Sequence, residues 1–239
     1  GFDFLDQLVH DGRGRACGGG YGVPAVKGRV GQFLLHHRGH RGQGAGTLIL
    51  TSDASHAGGT TIEAGVLQVG DGGTTGGIRG DIVNDGVLAF QRANAYAYGG
   101  SISGAGALHQ NGAGELTLSG DNAYTGSTYV NAGAVMLTGR ISRSSALTIG
   151  DLAGQSAQMT VDGPTAGFSA VGSDTSYIGR VGAGELTVQN GGSATFGNLT
   201  LGRQGVGTGV LNVTDVGSRV SASEIEVGFN GTGTLNILN

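Results

Sequence analysis

Few residues of this 239-residue chain have the types and spacing that chemistry requires. His36, His37 and His40 form a cluster that could ligate a metal, since imidazole is the commonest side-chain ligand. No Cys or carboxylate frames it. Asp81 and Asp85 stand four apart, and paired carboxylates can hydrolyse a glycosidic bond. Their surroundings, Ile82-Val83 and then Asn84-Asp85-Gly86, read as a solvated turn beside a short strand. Arg79-Gly80-Asp81 sets a guanidinium and a carboxylate on opposite sides of a turn, which suits an adhesion receptor that pairs both charges. Asp71-Gly72-Gly73 is a fragment of a calcium nonapeptide and reads more simply as a turn. Gly100-Ser101-Ile102-Ser103-Gly104 misplaces its serines for a nucleophile elbow. Lys27, the only lysine, lies in no phosphate loop, and no His-Glu-x-x-His occurs. Cys17 has no second cysteine to pair with. The Asn-x-Thr triplets at Asn198, Asn212 and Asn230 read as strand and turn residues, with amides able to ladder across stacked strands. The expectation is no catalytic, cofactor or metal residue, hence no enzyme and no cofactor. Arg79, Gly80 and Asp81 remain as the candidate recognition element.

Composition says what must position such residues. Glycine supplies 52 residues, proline only 2, and charged residues make up 13 %, about half the usual share. Two prolines exclude collagen, and 38 % hydrophobic residues exclude a charged disordered tail. A net charge of −4 with no basic face excludes a nucleic-acid partner. No apolar run approaches the ~18 residues of a spanning helix, and no signal-peptide pattern opens the chain. Glycine with Thr, Ser, Val, Leu and Ile suits many short strands joined by tight turns.

The composition breaks near residue 45. Residues 1–45 contain no Ser, Thr or Asn, hold four of the six His, and carry a net charge of +3 against −7 for the remainder. Three readings stay open for this Gly/Arg/His-rich segment: a cap or linker, a basic binding arm, or translation in the wrong frame ahead of the repeats.

Residues 46–239 repeat. Gly46–Val69 aligns without gaps to Gly114–Leu137 at an offset of 68, with identities that include Leu48/Leu116, Leu50/Leu118, Asp53/Asp121 and Thr60/Thr128. A shorter repeat follows. Leu147-Thr-Ile-Gly150, Ser176-Tyr-Ile-Gly179, Leu199-Thr-Leu-Gly202 and Ile225-Glu-Val-Gly228 each precede an alternating partner strand, and those partners end at 161, 188, 213 and 237. Strands this short cannot bury a face alone and must stack on neighbours. The expected fold is all-β, a single-stranded right-handed parallel β-helix of about eight rungs of ~25 residues, preceded by an irregular segment. An offset of 68 would then be close to three rungs. Residues 46–140 form one repeat region and 141–239 the other.

The stretch 102–133 closely resembles the passenger-associated transport repeat of bacterial autotransporters. Gly114, Leu116, Leu118, Gly120, Asn122, Tyr124, Gly126 and Thr128 match that family's signature. The copy at 46–69 has Ser52, Ala54 and His56 in place of Gly, Asn and Tyr. The resemblance implies a surface stalk secreted through the outer membrane by a C-terminal barrel that this chain lacks, so a passenger fragment is expected. Its expected role is adhesion to a host surface protein or glycan, or self-association. Two alternatives stand beside it: a carbohydrate-active β-helix enzyme, in which Asp81, Asp85 and a third carboxylate would converge in one groove, and the product of a disrupted gene.

Overall fold

A computed structural model describes residues 46–54 and 58–238, and the backbone of three strands before them, Val26–Lys27, Phe33–His36 and Gly39–Gly42. The described residues are all-β, and no helix among them is long and apolar enough to cross a membrane. Alternation of apolar and polar residues makes each strand one-sided: Thr47–Leu50, Ala107–Gln110 and Glu115–Leu118 all bury every second side chain. Four residues cannot sustain a strand, so each lies parallel to the equivalent strand one turn on.

The result is a parallel β-solenoid with three faces. The first face stacks Thr47–Leu50, Val66–Val69, Val87–Phe90, Ala107–Gln110, Thr128–Val130, Leu147–Ile149 and Ser176–Ile178, then the ends of Ser193–Leu201 and Arg219–Val227. The second runs from Tyr96–Tyr98 through Glu115–Leu118, Gly133–Leu137, Ser156–Asp162, Ala183–Gln189 and Thr208–Thr214 to Thr232–Leu238. The third begins with Thr60–Ile62, Ile82–Asn84 and Ile102–Ser103 and continues through Arg140–Ser144 and Gly167–Ala170. The expected all-β parallel solenoid is borne out. Files of inward side chains such as Leu67, Leu88 and Leu108, or Leu116, Val135, Met159 and Leu186, form one continuous core.

Rung length is not uniform. Leu48, Leu67, Leu88 and Leu108 are successive register partners, in steps of 19, 21 and 20 residues. Beyond Ile149 the steps widen, to 29 from Thr148 to Tyr177, 23 to Thr200 and 26 to Glu226. The ~25-residue unit therefore describes only the second half, where extra residues lengthen corner loops such as 150–155 and 202–207.

The 68-residue offset is accordingly not three rungs. Three steps carry Leu48 to Leu108 on the first face, and Leu116 lies on the next face. Each copy is still one complete turn, because Leu48 pairs with Leu67 just as Leu116 pairs with Val135. The two copies are the same local structure seated on different faces.

At the N-terminal end, Gly39–Gly42 pairs in parallel with Thr60–Ile62 and forms an antiparallel hairpin with Phe33–His36, while Val26–Lys27 runs antiparallel to Thr47–Leu50. His36 and His40 thus lie on neighbouring strands; His37, Cys17 and most of the compositionally distinct segment fall outside the described residues.

Candidate interaction surface

The side chains singled out for chemistry serve the turn above them. Asp81 Oδ1 accepts the Ser101 N–H at 2.8 Å, and Asp85 Oδ1 accepts the Ala105 N–H at 2.9 Å, each one rung on. The first bond stabilises the ionised carboxylate and holds the Asp81 carboxyl below the usual range. Arg79, Gly80 and Asp81 are all exposed. Gly80 has φ +76°, which favours glycine, and its carbonyl accepts the Tyr98 hydroxyl at 2.7 Å. Burial pushes the Tyr98 phenol well above its ordinary range, so it stays protonated as that donor.

The loop before this turn is fastened in the same way. Tyr96 Oη donates to the Ile78 carbonyl at 2.6 Å and accepts the Ile78 N–H at 2.8 Å. The Arg92 guanidinium lies 4.8 Å from the Tyr96 ring centroid and donates to the carbonyls of Thr74 and Gly76. Three side chains of one rung thus hold a loop of the rung below. None of the three stood out in the sequence, because the ~18-residue separations become contacts only when the rung length is known.

The signature residues of the second repeat have structural tasks. Leu116 and Leu118 are core, and Asn122 accepts the Ile102 N–H and donates to the Gly120 and Arg140 carbonyls. The buried Tyr124 hydroxyl lies 2.7 Å from Thr128 Oγ1, which lies 3.0 Å from Ser144 Oγ. At Gly114, Gly120 and Gly126 an added Cβ would strike a backbone carbonyl of the rung below, at Asn94, Gly100 and Gly106 respectively. In the first copy the buried Thr60 hydroxyl has no partner among the described residues, and His56, which replaces the tyrosine, lies outside them.

Two outward surfaces run along the rod. On the second face Asn236 donates to Asn212 at 2.8 Å, Asn212 to Glu185 at 2.7 Å and Gln158 to Glu185 at 3.3 Å, an amide ladder of the kind expected for Asn212. On the first face one register file reads His109, Tyr129, Thr148, Tyr177, Thr200, Glu226, in which Thr148 and Thr200 are buried between the larger side chains. The His109 and Tyr129 rings lie 4.7 Å apart, and burial lowers the His109 pKa from its ordinary 6.5. Beside this file, corner loops carry Asp151, Arg180, Arg203 and Phe229 after Gly150, Gly179, Gly202 and Gly228. Among the described residues no group of three or more His, Cys, Asp or Glu is disposed to hold a metal.

The comparisons agree with this architecture. The family model of the passenger-associated-transport-repeat matches residues 43–69 and 108–137. Over 116 residues, 48 % of this chain and 3 % of the relative, the sequence is 43 % identical to the adhesin BmaC autotransporter of Brucella suis biovar 1 (strain 1330). Over 62 residues, 26 % of this chain and 5 % of the relative, it is 40 % identical to the uncharacterized lipoprotein YdeK of Escherichia coli (strain K12). The chain therefore spans only a few per cent of the length of the curated relatives it matches. No solved structure matches. The two matched repeat units, with the identity to an autotransporter adhesin, support an autotransporter passenger. Its two recognisable units, at 43–69 and 108–137, are passenger-associated transport repeats.

Proposed function

We propose that this chain is a non-enzymatic stalk segment that displays its lateral faces outside the bacterial cell, for adhesion to a host surface or for association with a second copy. The carrying observation is the use of the polar side chains. Asp81, Asp85, Asn122, Tyr96 and Tyr98, which could have been reactive, each hold backbone of a neighbouring rung. The outward amide ladder Gln158–Glu185–Asn212–Asn236, by contrast, runs along the rod. A carbohydrate-active enzyme is not favoured, because Asp81 and Asp85 each cap a different point of the next rung. The adhesin named among the relatives supports the same reading, and export to the cell surface through the outer membrane is part of the proposal.

The test is display of residues 46–239 on a non-adherent bacterium, fused to an unrelated outer-membrane barrel. Attachment to host cells or autoaggregation should rise above that of the barrel alone; no rise in either refutes the proposal. Within it, the exposed Arg79-Gly80-Asp81 turn is a recognition element. Asp81→Glu should lower integrin-dependent attachment, and unchanged attachment removes the turn from the proposal.

A further inference from the structure

The clearest departure from the acidic background of residues 46–239 lies at the corner beside the first face. Arg203 Cζ is 5.1 Å from the Tyr177 ring centroid and 5.2 Å from that of Phe229, so the guanidinium is held between two rings of different rungs. Its Nη1 also donates to Tyr177 Oη at 3.2 Å. Arg180 Cζ lies 5.9 Å from the same Tyr177 ring. The Arg180 side chain is 40 % exposed and pairs at 3.0 Å with Asp151, the corner residue of the preceding rung. Two cations on adjacent rungs therefore share one aromatic ring, and only one of them has a carboxylate close by among the described ion pairs.

This arrangement is prepared for an anion. Ring contacts fix the Arg203 guanidinium in place, so less side-chain entropy is lost when it engages a ligand. Two guanidinium groups on corners one rung apart, both beside the Tyr177 ring, can receive a carboxylate or sulfate from both sides. The register file supplies a track leading to the pair. Tyr129 and Tyr177 are half-buried and two rungs apart, ~10 Å, and the Thr148 between them is buried, so the two rings are the contact points. That spacing is about one disaccharide unit of an extended polysaccharide. Glu226 closes the far end of the file and accepts from Thr200 at 3.3 Å. A ligand would therefore run from Arg203 toward His109, away from that negative charge.

We propose that Arg180 and Arg203, with Tyr177 and Tyr129, bind a linear acidic polysaccharide laid along the first face. This rests on the adhesive reading above and names its ligand class. Favouring a glycan over a protein are the period of the track, set by the rungs, and cations held in place at the corner beside it.

The 239-residue chain is titrated with a heparin dodecasaccharide, with oligogalacturonate and with neutral cellohexaose. Binding of either acidic probe is expected, with sulfate or carboxylate preference read from the two, and none of cellohexaose. Equal binding of cellohexaose overturns the proposal. The double variant R180Q/R203Q should lose at least about tenfold in affinity, with its melting temperature recorded beside that of the parent; unchanged affinity overturns the proposal. Asp151→Asn frees Arg180 and should raise affinity for the acidic probe about threefold. A gain cannot come from misfolding, and a loss counts against the site. Host cells stripped enzymatically of acidic glycans should no longer hold bacteria that display the chain. Persistent attachment would refute the glycan ligand and point to a protein receptor, leaving adhesion itself intact. No attachment to untreated cells would refute adhesion first.

Discussion

Tyr124, Thr128 and Ser144 explain at the scale of single residues why a transport repeat keeps a tyrosine and a threonine four apart. Burying a phenol and a hydroxyl is costly unless each finds a partner, and here they find each other. Burial pushes the Tyr124 phenol well above its ordinary range, so it remains a neutral donor at any physiological pH. Tyr124→Phe should cost about 1 kcal/mol of unfolding free energy in urea titration. Thr128→Val should cost more, because it orphans the phenol and also removes a contact to Ser144. His109 makes a second prediction. Its pKa is depressed in the folded state, so below the ordinary 6.5 the unfolded chain takes up the proton first. Its contribution is thus fully present above that value and is lost as pH falls toward the folded pKa. His109→Gln should flatten the decline in melting temperature measured between about pH 7.5 and 5. The signature was legible in the sequence as a pattern of types. That Gly120 is glycine because a Cβ would meet the carbonyl of Gly100 was not, since those residues become neighbours only through the rung.

At the scale of elements, the shorter repeat depends on a pinched corner. Gly179 ends a first-face strand at φ +70°, and Gly209 is the second residue of the second-face strand in the following rung. A Cβ on Gly179 would enter the backbone of Thr208, and one on Gly209 would enter that of Ile178 and Gly202. Gly209→Ala should therefore destabilise by about 3 kcal/mol or more, a purely steric cost. Gly154→Ala is the control. Its φ of +74° carries a cost, but nothing lies within 4 Å, and about 1 kcal/mol is expected. Thermal melts of the two variants compare these costs directly. The strands of this half were legible from strict alternation, as in Leu211-x-Val213. The corner ridge was not: Tyr177 and Arg203 are 26 residues apart, while other rungs take 19 to 29, and no fixed period places them together.

For the whole molecule, stability should be a sum over rungs and their contacts with neighbours. Leu116, Met159 and Leu186 sit between covered rungs and are fully buried, whereas Leu235, Ile237 and Leu238, with no described rung beyond them, are 39 %, 66 % and 58 % exposed. For the 239-residue polypeptide by itself, hydrogen exchange followed by mass spectrometry should show protection rising inward from 232–238 and greatest near 116–188. Uniform protection would mean that the rod unfolds as one unit. Fold class was the most legible property, because period and alternation record it redundantly. Azimuth was the least, because it accumulates every difference in rung length. That has a consequence for how such a protein can change. A copy placed 68 residues downstream does not merely lengthen the rod; it emerges a third of a revolution out of phase, from the first face to the second. One duplication thus displays the same motif at two compass bearings, whereas an enlarged corner loop such as 150–155 leaves the faces beyond it in line.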